Sequence, residues 1–150
     1  MEGVQGRDFN QIRPLNIKLS VSLSFSGSCI ASLGNTKVKC LVNLPKPSNK
    51  KIFGDSGYMN LEIKSNSSVH SSKTLDILRT SILEVFERHI IFKDYPRQVI
   101  DAFLIIQNDD GGLLSASLMG LCLALIDCGI HVSDIISACS LVRISKQTYL

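Results

Sequence analysis

Between Ile17 and Phe25 the apolar residues Ile17, Leu19, Val21, Leu23 and Phe25 alternate with Lys18, Ser20, Ser22 and Ser24. A period of two predicts a strand with one face on a core and the other in water. Two further runs, 28–33 and 36–44, flank Gly34-Asn35, a pair that tolerates the positive φ of a two-residue turn. They predict an antiparallel hairpin whose second strand sends Val38, Cys40 and Val42 to one side and Lys37 and Lys39 to the other. Residues 45–57, dense in Pro, Gly and Lys, and the polar, serine-rich 65–72 both read as loops, with a short strand at 58–64 between them. From Leu75 onward Leu78, Ile82, Val85 and Phe86 recur at helical spacing, with Asp76, Arg79, Glu84, Glu87 and Arg88 away from them. This is an amphipathic helix running to about His89, with Ser72 or Thr74 as its cap.

Val99 to Ile106 is almost continuously apolar and predicts a central strand covered on both faces. Asp101 interrupts it, and either pairs with a neighbouring lysine or points toward an edge. After Gly112 a stripe of small residues, Ala116, Gly120 and Ala124, predicts a helix lying close against the sheet and ending near Cys128-Gly129. A final apolar run, 135–144, predicts another strand. The fold class is therefore α/β of the α+β kind: a mixed sheet with an antiparallel hairpin and two packed helices.

Composition narrows the function classes. With 150 residues, 45% hydrophobic and 19% charged, the chain buries one ordinary core. A net charge of +3 is too small to imply nucleic-acid binding, so the placement of Lys and Arg has to carry any such claim. Cys29, Cys40, Cys122, Cys128 and Cys139 lie in apolar stretches without a CxxC pair, and read as buried thiols of a reducing compartment. Asp8, Arg13 and Lys18 break any signal-peptide pattern, and the uncharged run 111–126 falls short of the roughly 20 apolar residues of a membrane span. An intracellular protein without a membrane partner is expected. His70, His89 and His131 have no Cys or carboxylate at metal-ligand spacing, so no metal site is expected.

The stretch Asn108-Asp-Asp-Gly-Gly-Leu-Leu-Ser115 is a strand-to-helix turn. Gly111 and Gly112 allow a sharp bend and leave the first helical N–H groups open, an arrangement that attracts anions. Asp109 and Asp110 either cap this helix or flank such an anion site.

Several segments, taken in order, resemble the RNase PH family. They are Gly6-Arg7-Asp-Phe-Asn-Gln-Ile-Arg13-Pro14, Gly27-Ser28, Gly34-Asn35-Thr36-Lys37-Val38, Asp110-Gly111-Gly112 with Ala116-Ser117, and Ala124-Leu125-Ile126-Asp127. Tyr95-Pro96-Arg97 and the run from Asp127 to Asp134 are most similar to the eukaryotic exosome ring subunits, in particular those without activity. The resemblance implies an RNase PH-like fold of the ribosomal protein S5 domain 2 type, covering 1–150 and incomplete at its C-terminus. The family's second layer and its general-acid aspartate would follow. It also implies single-stranded RNA and other RNase PH-like ring subunits as partners, a hetero-oligomeric or self-associating state, and a place in the nucleus and cytoplasm.

Active members follow the double glycine with Thr-Arg, which holds the attacking phosphate; Leu113-Leu114 stand there in this chain. Leucine offers no donor, so Gly112, Leu113 and Leu114 bring only backbone N–H groups, Ser115 adds a hydroxyl, and Lys73 aligns with a second phosphate-binding arginine. Losing a charge-assisted hydrogen bond of about 1.5–3 kcal/mol slows turnover roughly tenfold to a hundredfold. An RNA-binding and scaffold role without catalytic residues is therefore expected. Lys37, Lys39, Lys46, Lys50, Lys51 and Arg79 are the candidate phosphate contacts, clustered in the hairpin, its following loop and the next helix. The alternative is an active phosphorolytic 3′ to 5′ exoribonuclease releasing nucleoside diphosphates. In that case inorganic phosphate is the co-substrate, and Asp109 or Asp110 holds a magnesium ion. Otherwise no cofactor is expected. A second alternative is a protein-interaction module without RNA contact, favoured by the absence of Trp and an aromatic content of 6%.

Overall fold

The computed structural model describes residues 11–48, 56–65, 70–144 and 147–149. In chain order the elements are β1 (Leu15–Leu19), β2 (Gly27–Leu33), β3 (Thr36–Val42), β4 (Lys46–Pro47), β5 (Tyr58–Ser65), α1 (Ser72–His89), β6 (Gln98–Asn108), α2 (Leu113–Asp127), β7 (Val142–Ile144) and β8 (Gln147–Tyr149). A 3-10 turn, Phe92–Asp94, joins α1 to β6. β1, β2, β3 and β6 lie side by side, each antiparallel to the next, while β5 runs parallel to β6 along its other edge. β7 and β8 form a separate small hairpin.

The β2–β3 hairpin forms for a local reason. Leu33 pairs with Thr36, leaving Gly34 (φ 60°) and Asn35 as the turn. Val38, Cys40 and Val42 are fully buried on one face, as their alternation predicts, and α2 packs on that face. Gly120 lets α2 come close, since a Cβ there would stand 3.0 Å from both the Ala31 Cβ and the Cys40 sulfur. α1 buries Ile82 and Phe86 in the same core beside Met59 and Leu61 of β5. Its cap is Ser71, whose hydroxyl accepts from the Thr74 amide at 3.3 Å; neither Ser72 nor Thr74 serves.

Two predicted strands differ in the structure. The first is β1, which stops at Leu19. Ser20 takes a left-handed conformation (φ 52°) and the chain bends away, leaving Leu23 fully exposed. Leu15, Ile17 and Leu19 share the core-side row with Leu33, Ala31 and Cys29 but stay 41–49% exposed, because α2 packs over β2 and β3 rather than this edge. Phe25 instead returns to pack edge-on against Phe103 of β6.

The second is 135–144, of which only Val142–Ile144 is strand. Residues 135–141 join no ladder and cross over α2 instead. There the Ile136 amide donates to the Cys122 sulfur, and Ile135 and Leu141 are more than 60% exposed.

The loop predicted at 45–57 contains β4, which pairs with the start of β6; residues 49–55, with Lys50 and Lys51, lie outside the described residues. Of the loop predicted at 65–72, Ser65 still belongs to β5, Ser72 already belongs to α1, and 66–69 lie outside the described residues.

Asp101 is buried and pairs with Lys46 and with Asn60 Nδ2 (3.0 Å), which settles its two alternatives in favour of the lysine. Burial pushes its carboxyl up, but the hydrogen bonds from Lys46 and Asn60 and the lysine charge outweigh it, leaving the group below its ordinary value. Four of the five cysteines are buried and Cys139 is exposed, all as free thiols. Burial raises the Cys29 thiol to about 11 and pushes the Cys40 thiol well above its ordinary value. None of the described helices is long and apolar enough to cross a membrane.

Candidate phosphate and RNA site

Three segments distant in sequence converge at one end of the sheet: Arg13-Pro14 before β1, the Gly34-Asn35 turn, and the bend 108–112 that leads into α2. Pairing brings them there. Leu15 lies opposite Leu33, Gly34 N donates to Pro14 O (2.9 Å), and Lys37 lies opposite Asn108. Arg13 Nη1 donates to two carbonyls of the bend, Asp110 O at 2.7 Å and Gly111 O at 2.9 Å. Thr36, fully buried, donates its hydroxyl to Gly111 O (2.7 Å) and accepts from the Asp110 amide (2.9 Å). Asn35 Nδ2 reaches Asp110 Oδ2 at 3.0 Å.

This clamp fixes the backbone of the bend, where Gly111 (φ 88°) and Gly112 (φ 75°) are both left-handed. Gly112 is the N-cap of α2 and supplies no side-chain cap. Neither of these carboxylate contacts is a cap of α2: Asp109 Oδ1 accepts from the Gly111 amide within its own bend, and Asp110 Oδ2 accepts from Asn35. The reason is geometric, since two left-handed residues separate the carboxylates from the first helical turn.

Of the predicted phosphate residues, Gly112, Leu113, Leu114 and Ser115 form the opening turn of α2. Leu114 is exposed, and the Ser115 hydroxyl is buried against the Ser140 hydroxyl at 2.6 Å. Lys73 lies exposed in the first turn of α1. Just before it, the His70 ring, 10% exposed, sits with Nε2 3.4 Å from Asp109 Oδ2 and without a hydrogen bond. Among the described residues no three His, Cys, Asp or Glu side chains group as metal ligands. Both Asp109 oxygens already face partners.

The candidate RNA contacts do not form one cluster. Lys37 and Lys39 project from β3 on the face opposite the helices. Lys46 lies at the far end of β6, held by Asp101. Arg79 lies on α1, lining a shallow groove with Asn60, Glu62 and Asp76. The sheet's length and α1's position on its opposite face separate what the sequence places close together.

Sequence reasoning missed Arg13 and Thr36 as site residues. The signal existed only as a hairpin register, which sets both beside the 108–112 bend once β3 pairs with β6. At the other end of α2, Asp127 accepts from Ser28 N (2.9 Å) and Ser20 Oγ (2.7 Å), and these bonds, the Ser28 amide foremost, hold its carboxyl below the ordinary value.

Comparison with known proteins shows the family to which the chain belongs. The family model described as "3' exoribonuclease family, domain 1" matches residues 11–131. The exosome complex component ski6 of Schizosaccharomyces pombe is 30% identical over all of this chain and 66% of its own length. The component SKI6 of Saccharomyces cerevisiae is 30% identical over 91% of this chain and 61% of its own. The chain thus spans about two-thirds or less of these relatives. Among solved structures, rice Rrp46 superposes with a TM-score of 0.82 at 21% identity, over 89% of this chain and 64% of that one. An Archaeoglobus fulgidus exosome with RNA bound to the active site gives 0.77 at 19% identity, over 99% and 69%. With the family model matching residues 11–131, this chain belongs to the 3′ exoribonuclease family of RNase PH type.

Proposed function

We propose that the chain acts as an RNase PH-like component of an exosome ring, contacting single-stranded RNA and neighbouring RNase PH-like subunits without phosphorolysis at its own glycine bend. The observation that carries this reading is the opening turn of α2. The backbone there is shaped to receive an anion, with an N-cap glycine that leaves the amides uncapped, but the side chains that follow are Leu113 and Leu114. Ser115, the one hydroxyl, is bonded to Ser140, and Arg13 is engaged with the carbonyls of the bend. The bend has the shape of a phosphate cradle, and the residues that follow its glycines bring no guanidinium fork to orient a nucleophile. The names of the relatives, exosome components in two yeasts, support the assembly; action in the nucleus and cytoplasm is part of the proposal.

Incubation of purified chain with oligoribonucleotide and inorganic phosphate, with or without magnesium, is expected to release no nucleoside diphosphate. Release of diphosphates that is abolished by Gly112→Pro would overturn the reading and restore an active enzyme. Leu114 is exposed enough to accept a larger cation, so L113T/L114R is expected to tighten inorganic phosphate binding about tenfold. For the assembly, the exposed apolar row Leu15, Ile17 and Leu19 supports association, and a clean monomer in light scattering at tens of micromolar counts against it.

A further inference from the structure

The face of the sheet turned away from both helices carries a basic row that crosses five strands. Lys18 of β1 lies opposite Ile30 of β2, Ile30 opposite Lys39 of β3, Lys39 opposite Ile105 of β6, and Ile105 opposite Lys64 of β5. Lys37 stands two residues from Lys39 on the same face. Neighbouring strands lie about 4.8 Å apart, so the row's lysines are anchored at intervals of about 10 Å with a half-buried isoleucine between each pair. Next to this row Phe103, also half-buried, packs against Phe25 with ring centroids 5.7 Å apart and planes at 67°.

The charge on this face is not internally balanced. Lys18, Lys37 and Lys39 have no carboxylate within ion-pair distance among the described residues, and Lys64 meets only Glu62 beside it. Asp101, on the same face, is already paired with Lys46. Such a surface is complementary to a polyanion. Its alternation of cation and apolar side chain further suits a flexible strand whose phosphates meet the ammonium groups while its bases lie over Ile30, Ile105 and the phenylalanine pair.

We propose that this open face is a binding track for single-stranded RNA, separate from the glycine bend of α2. The proposal rests on the RNA-contact reading above and supplies its site: Lys18, Lys37, Lys39 and Lys64 across the sheet, with Phe103 and the isoleucines beneath the bases.

Fluorescence anisotropy of the chain with a labelled oligouridylate, over a range of salt concentrations, tests it. The variant K18Q/K37Q/K39Q is expected to bind on the order of tenfold or more weakly, with the slope of log affinity against log salt flattened by about 2. Lys93→Gln, in the 3-10 turn away from this face, is expected to bind as the wild type does. If the wild type binds no RNA, the RNA-contact reading itself fails. If the wild type binds and the triple variant binds equally well, only the assignment to this face fails. Displacement of RNA by polyglutamate at equal charge concentration would mark the face as a dock for an acidic protein and also overturn it. Photocrosslinking of the wild type with 4-thiouridine RNA needs no variant. Adducts on peptides holding Ile30, Phe103 or Ile105 are expected, and adducts confined to α1 or the 109–115 turn overturn the proposal.

Discussion

The two ends of α2 solve the same problem in opposite ways. At the N-terminal end the N-cap, Gly112, offers no side chain to the open amides. A cation, Arg13, and a buried hydroxyl, Thr36, instead grip the carbonyls of the bend that precedes the helix. At the C-terminal end the last residue is an acid, Asp127, which the helix dipole disfavours. Its oxygens turn outward to hold Ser20 and Ser28 of the β1–β2 connection, and Gly129 (φ 80°) closes the helix. Neither end is built for helix stability alone. One shapes a backbone cradle and leaves its N–H groups to other partners, while the other pins a strand connection to the helix.

The largest test of this contrast is Gly27→Ala. Here β2 meets the C-terminal end so closely that a Cβ would lie 2.2 Å from Ala124 O and 2.6 Å from the Cys128 Cβ. Backbone must shift, and a loss of about 3 kcal/mol is expected in chemical denaturation; a loss under about 1 kcal/mol would show that the contact is not tight. Next is Thr36→Val, nearly isosteric, which leaves the Gly111 carbonyl and the Asp110 amide without their buried partner. About 2 kcal/mol is expected, together with faster amide exchange at 110–112. Unchanged exchange would mean that Arg13 alone holds the bend.

The smallest effect is expected from Asp127→Asn and reads out in pH. The carboxyl of Asp127 is held below its ordinary 3.8, so its contribution is present above that pH and fades as pH falls through the lower folded value. The variant should therefore lose a small part of its melting temperature at neutral pH and show a flatter acid limb below about pH 4. A wild-type acid limb identical to the variant's would remove Asp127 from the account. The magnitude stays modest because the carboxylate is only partly buried.

What was legible in the sequence was mostly local. The Gly34-Asn35 turn and the alternation of Val38, Cys40 and Val42 define the hairpin without outside help, and the Ala116, Gly120, Ala124 stripe foretells how closely α2 lies on it. The misses share a cause, which is dependence on partners far along the chain. Arg13 reaches the bend across 97 residues, and Asp127 meets Ser20 across 107. The bend at Ser20 that ends β1, and the seating of 135–141 over α2, both involve such contacts. For the candidate site, the glycines and the leucines after them were readable by position, whereas the clamp that orients them was not. The lysines of β3 were readable singly, but their alignment with Lys18 and Lys64 depends on cross-strand register.

The placement of β6 has a further consequence for biosynthesis. β2 and β3 leave the ribosome as a finished hairpin, but the strand that must cover the outer edge of β3 begins only at Gln98. Until then that edge, with Val38, Cys40 and Val42 on its apolar side, is an open template. The interval before β6 arrives is thus the stage at which a nascent chain is most exposed to pairing with the wrong strand, and at which a chaperone would matter most.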